Sequence, residues 1–172
     1  VGVAGVQIAH VLGAHVIAVT RDDQFHAALR QLGASETITL EAVPSIEGVD
    51  VVLELLGAPH LSLAFDILNP FARVVMIGVG AGSRVEVNLL QFMSKRLTLT
   101  GSTLRSRSRE EKAAVAQRVG DALVPRWDAG EFVVPLAKVF DFNDASAAYD
   151  YFAQPGKFGK VVLNLESEAP LG

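Results

Sequence analysis

The residues Val1-Gly2-Val3 read as the end of a glycine turn already entering a helix, and the helix-then-strand order after them limits the possible folds more than any other feature of the chain. Val3, Val6, Ala9, His10 and Gly13 fall near helical spacing, and Gly13 stops the helix. His15-Val16-Ile17-Ala18-Val19-Thr20 is then a continuous strand-like run. A helix leading straight into an apolar strand belongs to a βαβ crossover, because parallel neighbours need a long connection back to the same end of the sheet. Such a crossover calls for a strand that delivers the chain into the turn at Gly2. No residues are present to form it, so either the natural protein extends upstream or the chain is a fragment.

The alternation continues along the sequence. A second helix is expected over 21–32, ended by Gly33-Ala34, with a short strand after it over 36–39. Asp50-Val51-Val52-Leu53-Glu54-Leu55-Leu56 reads as a strand closed by Gly57, and 59–68 as a third helix. A strand over 73–77, a glycine-rich loop, a short helix over 89–93 and a strand over 97–100 complete the series. Five crossovers through almost wholly apolar strands predict an α/β fold: a doubly wound parallel (Rossmann) sheet lacking its first strand, with helices on both faces.

The pattern changes after Gly101. Ser108-Arg109-Glu110-Glu111 has the spacing of a capping box, and it opens a long amphipathic helix to about Asp128, ended by Asp128-Ala129-Gly130. Beyond lie a strand over 137–140, a helix over 143–153, the turn Gln154-Pro155-Gly156 and a strand over 160–165. Residues 166–172 read as a polar tail. The boundary is therefore expected near Gly130, with domains over 1–130 and 131–172.

Composition narrows the classes of function. With 172 residues, 50% apolar and 20% charged, the chain has enough material for one substantial core and a second small lobe. A formal charge of −4 gives no electrostatic footprint for nucleic acid. The absence of cysteine excludes disulfides and thiolate metal sites within this segment, and it suits a reducing cytoplasm. Gln7, His10, Gly13 and His15 interrupt the apolar run from Val1 to Val19, which argues against a membrane span, and nothing there has the pattern of a signal peptide.

Gly2-Val3-Ala4-Gly5-Val6-Gln7-Ile8-Ala9, Leu12-Gly13-Ala14-His15-Val16-Ile17-Ala18 and Leu32-Gly33-Ala34 resemble the cofactor domain of medium-chain dehydrogenase/reductases. Asp50-Val51-Val52-Leu53-Glu54, Ile77-Gly78, Gly101-Ser102-Thr103-Leu104-Arg105-Ser106-Arg107 and Gly159-Lys160-Val161-Val162-Leu163 extend the likeness to nearly the whole chain. The stretch from Leu104 to Lys112 is most similar to the zinc-independent, zeta-crystallin-like NADPH:quinone oxidoreductase branch. The resemblance implies a dinucleotide-binding domain up to about Gly130 and a C-terminal segment that completes an upstream, GroES-like catalytic lobe. It also implies homodimers joined by the edge strand near Leu97 to Thr100.

Candidate cofactor-binding residues derive from the chemistry of strand ends. Glycine at a turn into a helix lets the backbone approach a pyrophosphate, whose charge the free amides and the helix dipole favour; Gly2 and Val3 would supply that contact. An acidic residue at the end of the next strand would bind the ribose hydroxyls of NAD, and a basic one accommodates the 2′-phosphate of NADP. Thr20 and Arg21 stand there and favour NADPH. Asp22 replaces a frequent serine and Phe25 a lysine common in NADPH-preferring relatives, so NADH remains possible. Leu55, Gly57, Gly78 and Val79 occupy further strand ends, and the resemblance sets them beside the ribose and nicotinamide. It likewise implies that the backbone of Ser102, Thr103 and Leu104 holds the carboxamide, and that Lys160 reaches the pyrophosphate from the other lobe.

Other features carry plainer readings. Gly78-Val79-Gly80-Ala81-Gly82 looks like a nucleotide fingerprint, but an extended segment comes after it instead of a helix, which makes it a loop over the nicotinamide. His10, His15, His26 and His60 lack ligand spacing, so no metal site is expected. Arg105, Arg107 and Arg109 read as a solvated run before a helix cap. No Gly-x-Ser-x-Gly elbow is present, and no catalytic acid or base is assigned. The function these features imply is hydride transfer from NADPH to a small molecule, a quinone or an activated double bond. The alternatives are an enoyl reductase module of a fatty-acid or polyketide synthase and a non-catalytic nucleotide-binding module.

Overall fold

The structure is a computed structural model that describes residues 1–165, so the expected polar tail lies outside the described residues. The chain forms two compact units, Val1–Ala129 and Gly130–Gly172.

In the first unit helices and strands alternate as α1 (Gly2–Val11), β1 (Ile17–Thr20), α2 (His26–Gln31), β2 (Glu36–Thr39), β3 (Val49–Glu54), α3 (Ala58–Ile67), β4 (Leu68–Met76), α4 (Leu89–Lys95), β5 (Thr98–Gly101) and α5 (Arg109–Asp128). A 3-10 turn over Leu40–Ser45 joins β2 to β3. Every pairing is parallel, with β1 on β2 and β3-β4-β5 in that order, which is the Rossmann arrangement read from the alternation. The ladder is nevertheless in two pieces, because no hydrogen bonds join β1 to β3.

Local side-chain bonds explain where the elements depart from the sequence expectation. The helix expected over 21–32 begins only at His26. The Asp22 carboxylate accepts the Gln24 N–H at 3.2 Å and Thr20 Oγ1 donates to the Asp22 carbonyl at 2.7 Å, so 21–25 are held as turns that compete with helix. β1 starts at Ile17 instead of His15: the Glu36 N–H on Val16 O at 3.0 Å is its first rung, and the Val16 N–H is taken by Ser35 Oγ at 3.1 Å. β4 starts at Leu68, which pairs with Val49 before a register shift, five residues earlier than expected. Within it Phe71 turns to a φ of 66°, and the Arg96 guanidinium lies 3.9 Å above its ring centroid.

The core sits where α3 and α4 cover one face of β3-β4-β5. Leu61, Phe65, Leu68, Ala72, Val74 and Leu97 are buried together, with Val52, Met76, Val85, Val87 and Phe92 packed around them. The opposite side of β3 is more open than a sheet covered on both faces would be: Val51 and Leu53 are 50% and 44% exposed. Apolar runs alone thus overstate burial here, since Val52 and Glu54 turn inward while Val51 and Leu53 do not.

The second unit is a βαβ of its own, with β6 (Leu136–Asp141) parallel to β7 (Lys160–Asn164) and α6 (Ala145–Ala153) between them. The helix expected from residue 143 is split, because the Asp141 carboxylate accepts the Asn143 N–H at 2.9 Å and draws Phe142–Asp144 into a 3-10 turn. Phe140 and Tyr151 pack with centroids 5.7 Å apart.

One buried polar atom in the first unit lacks a partner: Thr37 Oγ1 on β2, with its residue 7% exposed. Thr37→Val removes that unpaired hydroxyl while keeping the shape. It should raise the stability of the folded protein by about 1 kcal/mol, read as a shift of the urea midpoint at unchanged slope.

Candidate functional site

Because β3, β4 and β5 are parallel and adjacent, their carboxyl ends open on one edge of the sheet, where ligands of such folds sit. Glu54 ends β3 and is only 6% exposed. Its Oε1 accepts the N–H of Leu56 at 2.6 Å and of Gly57 at 2.8 Å, which folds the chain back over its own side chain. Gly57 then takes a φ of 109°, where a Cβ would collide with the Gly82 carbonyl and stand 2.9 Å from Val79 Cα. A Cβ at Gly78 would collide with the Leu55 carbonyl. Only glycine permits so close an approach of two loops. The loops are then tied together, with Ala81 N–H on Leu56 O at 2.7 Å, Ala58 N–H on Gly82 O at 2.9 Å and Ile77 N–H on Glu54 O at 2.8 Å. Leu55, Gly57, Gly78 and Val79 are therefore brought into one clasp.

The start of α1 lies beside this clasp. A Cβ at Gly2 would come within 3.4 Å of Leu55 Cδ1, and one at Gly5 within 3.0 Å of Leu53 Cδ2, so the small residues let the helix settle against β3. The first helical bond runs from Gly5 N–H to Val1 O at 2.9 Å, which leaves the amides of Gly2, Val3 and Ala4 without an intrahelical partner. Neither an acidic residue in the first turn nor a side-chain cap occupies them.

Thr20 and Arg21 stand at the carboxyl end of β1, in the other piece of the sheet. The Thr20 hydroxyl has one proton and faces two carbonyls, Asp22 O at 2.7 Å and Ile38 O at 3.2 Å, so it accepts from His26 Nε2–H at 2.8 Å. Its polar atom is thus used within the fold, and the Arg21 side chain is exposed at this strand end, as are Asp22, Asp23 and Gln24 after it.

After β5, Ser102 N–H extends the ladder to Met76 O at 2.9 Å, and Arg107 N–H closes a turn on Leu104 O at 3.3 Å. The Arg107 guanidinium reaches back, with Nε on Thr103 O at 3.0 Å and Nη2 on Ser102 Oγ at 3.4 Å. This corrects the expectation that Arg107 belongs to a solvated run; Arg105 and Arg109 are exposed as expected. The capping box forms as read, with Ser108 Oγ accepting Glu111 N–H at 3.1 Å and Glu111 Oε2 accepting Ser108 N–H at 2.8 Å. Beside it the Glu110 carboxyl is held below the usual carboxylate range, first by its own backbone N–H and then by the Ser108 hydroxyl.

Lys160 opens β7 in the second unit, where it is exposed and its N–H bonds Pro135 O at 2.8 Å. Two contributors escaped sequence reasoning. Glu54 looked like an interior residue of the apolar strand expected to run to Leu56, and the one signal for it is a carboxylate between apolar neighbours with glycine three residues later. For Arg107 the signal is weaker still, since its spacing matches that of its exposed neighbours.

Comparison with known proteins identifies the family and the fold. The model of the zinc-binding dehydrogenase family matches residues 1–121. The quinone oxidoreductase of Sus scrofa is 27% identical over 175 residues, covering 96% of this chain and 51% of that protein. The chain thus spans about half the length of the curated relatives it matches. The crystal structure of the quinone oxidoreductase from Thermus thermophilus, solved also in complex with NADPH, is similar with a TM-score of 0.81 at 30% identity, over 95% of this chain and 54% of that one. A cobalt- and zinc-bound thermostable alcohol dehydrogenase from Pyrobaculum aerophilum gives a TM-score of 0.73 at 26% identity, over 94% of this chain and 46% of that one. The residues present do not themselves fit a zinc ion: among the described residues no three His, Cys, Asp or Glu side chains gather to hold a metal.

The clasp makes a direct prediction for Glu54. Glu54→Ala orphans two amides that are buried or partly so and should cost about 2–4 kcal/mol in chemical denaturation, whereas Glu54→Gln keeps an acceptor at Oε1 and should cost about 1 kcal/mol. Equal losses for the two substitutions would show that the turn does not depend on this acceptor.

Proposed function

The chain belongs to the zinc-binding dehydrogenase family, and from that premise we propose that it is the cofactor-binding part of an NADPH-dependent oxidoreductase that passes a hydride to a quinone or an activated, electron-poor double bond. The observation that carries this reading is the clasp at the ends of β3 and β4, where two loops approach as closely as glycine allows and present backbone beside the free amides of α1. The NADPH complex of the similar Thermus thermophilus protein supports the same cofactor.

When bound, the dinucleotide supplies the hydride, and the residues of the chain bind it, orient it and exclude water. The amides of Gly2 and Val3 take the pyrophosphate. Arg21 takes the 2′-phosphate, and Thr20 holds the strand end that presents it. Leu55, Gly57, Gly78 and Val79 form the wall against the nicotinamide and its ribose, and Ser102, Thr103 and Leu104 hold the carboxamide through their backbone.

Supporting features suggest the setting. Among the described residues β5 pairs only with β4 and all four of its residues are exposed, while Leu89, Leu90 and Met93 on α4 are 70%, 75% and 71% exposed, so a second copy of the protein is the proposed cover for this edge. No helix among the described residues is long and apolar enough to cross a membrane. A chain without cysteine suits a reducing compartment, and we place the protein in the cytoplasm.

In the natural polypeptide Arg21→Ala should raise the NADPH dissociation constant roughly tenfold and leave that of NADH within about twofold, since only the former carries the 2′-phosphate. Equal changes would remove Arg21 from cofactor choice. NADPH oxidation with a quinone or an enone as acceptor tests the reaction, and tight NADPH binding with turnover of neither would identify a binding module instead.

A further inference from the structure

We infer that Arg107 is a positioning residue for the nicotinamide end of the cleft, acting through the backbone of Ser102–Leu104; the inference rests on the reading of that segment as the carboxamide contact. The segment has no regular structure of its own. It is fixed at one end by Ser102 N–H on Met76 O at 2.9 Å and at the other by the capping box at Ser108. Between these ends the direct side-chain tie is Arg107, whose Nε and Nη2 address two consecutive residues, Thr103 O at 3.0 Å and Ser102 Oγ at 3.4 Å.

Three features separate Arg107 from a strap that merely shortens a loop. Its side chain is half-buried, whereas Arg105 and Arg109 on either side are exposed. The planar guanidinium offers two donors along one edge, a geometry that an ammonium cannot reproduce. The carbonyl it bonds belongs to Thr103, one of the residues assigned to the carboxamide. A carbonyl oxygen has two lone pairs, and a donor that occupies one fixes the peptide plane and thereby the direction of the other. Lys112 Nζ adds a weaker tie from α5, to Arg105 O at 3.5 Å. The orientation of the carboxamide contact is thus set by Arg107, the residue just before the cap of α5.

The experiment compares wild type, Arg107→Lys and Arg107→Met in the natural polypeptide. NADPH affinity is read from cofactor fluorescence, and the affinity for 2′,5′-ADP, which lacks the nicotinamide half, from competition. Transfer of label from NADPH deuterated on either face of the nicotinamide reports its orientation. Arg107→Met should weaken NADPH about tenfold, leave 2′,5′-ADP within about twofold and reduce the selectivity for one face; Arg107→Lys should fall between, closer to the Met variant. Unchanged NADPH affinity and selectivity would overturn the inference. A parallel loss of both ligands in both variants would overturn it too, as the mark of a purely structural strap. Failure of wild type to bind NADPH would defeat the cofactor reading itself, whereas normal wild-type binding with indifferent variants defeats only the role of Arg107.

Discussion

A carboxylate taken out of water at the end of a strand is costly unless it is hydrogen-bonded, and Glu54 Oε1 accepts two backbone amides from the adjoining turn. This single arrangement sets the course of the chain at the ligand edge. The turn over Glu54 brings Gly57 to a φ of 109°, and that conformation aims the chain into α3 while leaving room for Val79 and Gly82 to lie against it. The hydrogen bonds between the two loops then arise from proximity, so the floor of the candidate cleft is built of main chain held at three points and not of interlocking side chains.

The two pieces of the sheet end in different ways. Behind β3 and β4 the loops are locked by main-chain bonds across a glycine contact. Behind β1 the chain is held by the Thr20 hydroxyl and the Asp22 carboxylate, side chains that stitch a turn to itself and to His26. A site assembled across both pieces would have an invariant backbone surface for the part of a dinucleotide common to all such cofactors. It would have a side-chain-defined rim at the one place where NADH and NADPH differ. That division matches the chemistry, since the redox half of the two cofactors is identical and only the 2′ substituent needs to be distinguished.

Much of this was legible in the sequence because its signals are local. Alternating helices and apolar strands specified a parallel sheet, and Ser108 with Glu111 specified a cap that forms with both expected hydrogen bonds. What escaped required knowledge of a bond between residues and not of a residue type. Nothing in the composition of 21–25 says that Asp22 will capture the Gln24 amide, and without that bond the apolar spacing reads as a helix that starts at residue 21 instead of His26. The apolar run in β3 hid the alternation that leaves Val51 and Leu53 half exposed, because a strand buried on one face and one buried on both can carry the same letters. Glu54 and Arg107 were missed for a related reason: each is a charged side chain whose partners are backbone atoms, and backbone atoms have no sequence signature.

That last property decides which substitutions such a cleft would tolerate. Recognition through amides, carbonyls and a glycine contact would constrain only the residues that shape the main chain. Most side chains around it are free to change as long as the turns survive. Gly57 and Gly78 are constrained by the atoms a Cβ would strike, and Glu54 by the amides it would orphan. Arg107 belongs to the same set if it directs a carbonyl toward the cofactor, and Thr20 to a looser one, since its hydroxyl supports a turn that other short polar residues could also support. The residues that matter most to this cleft are therefore those that place backbone, and a search for reactive side chains would pass over nearly all of them.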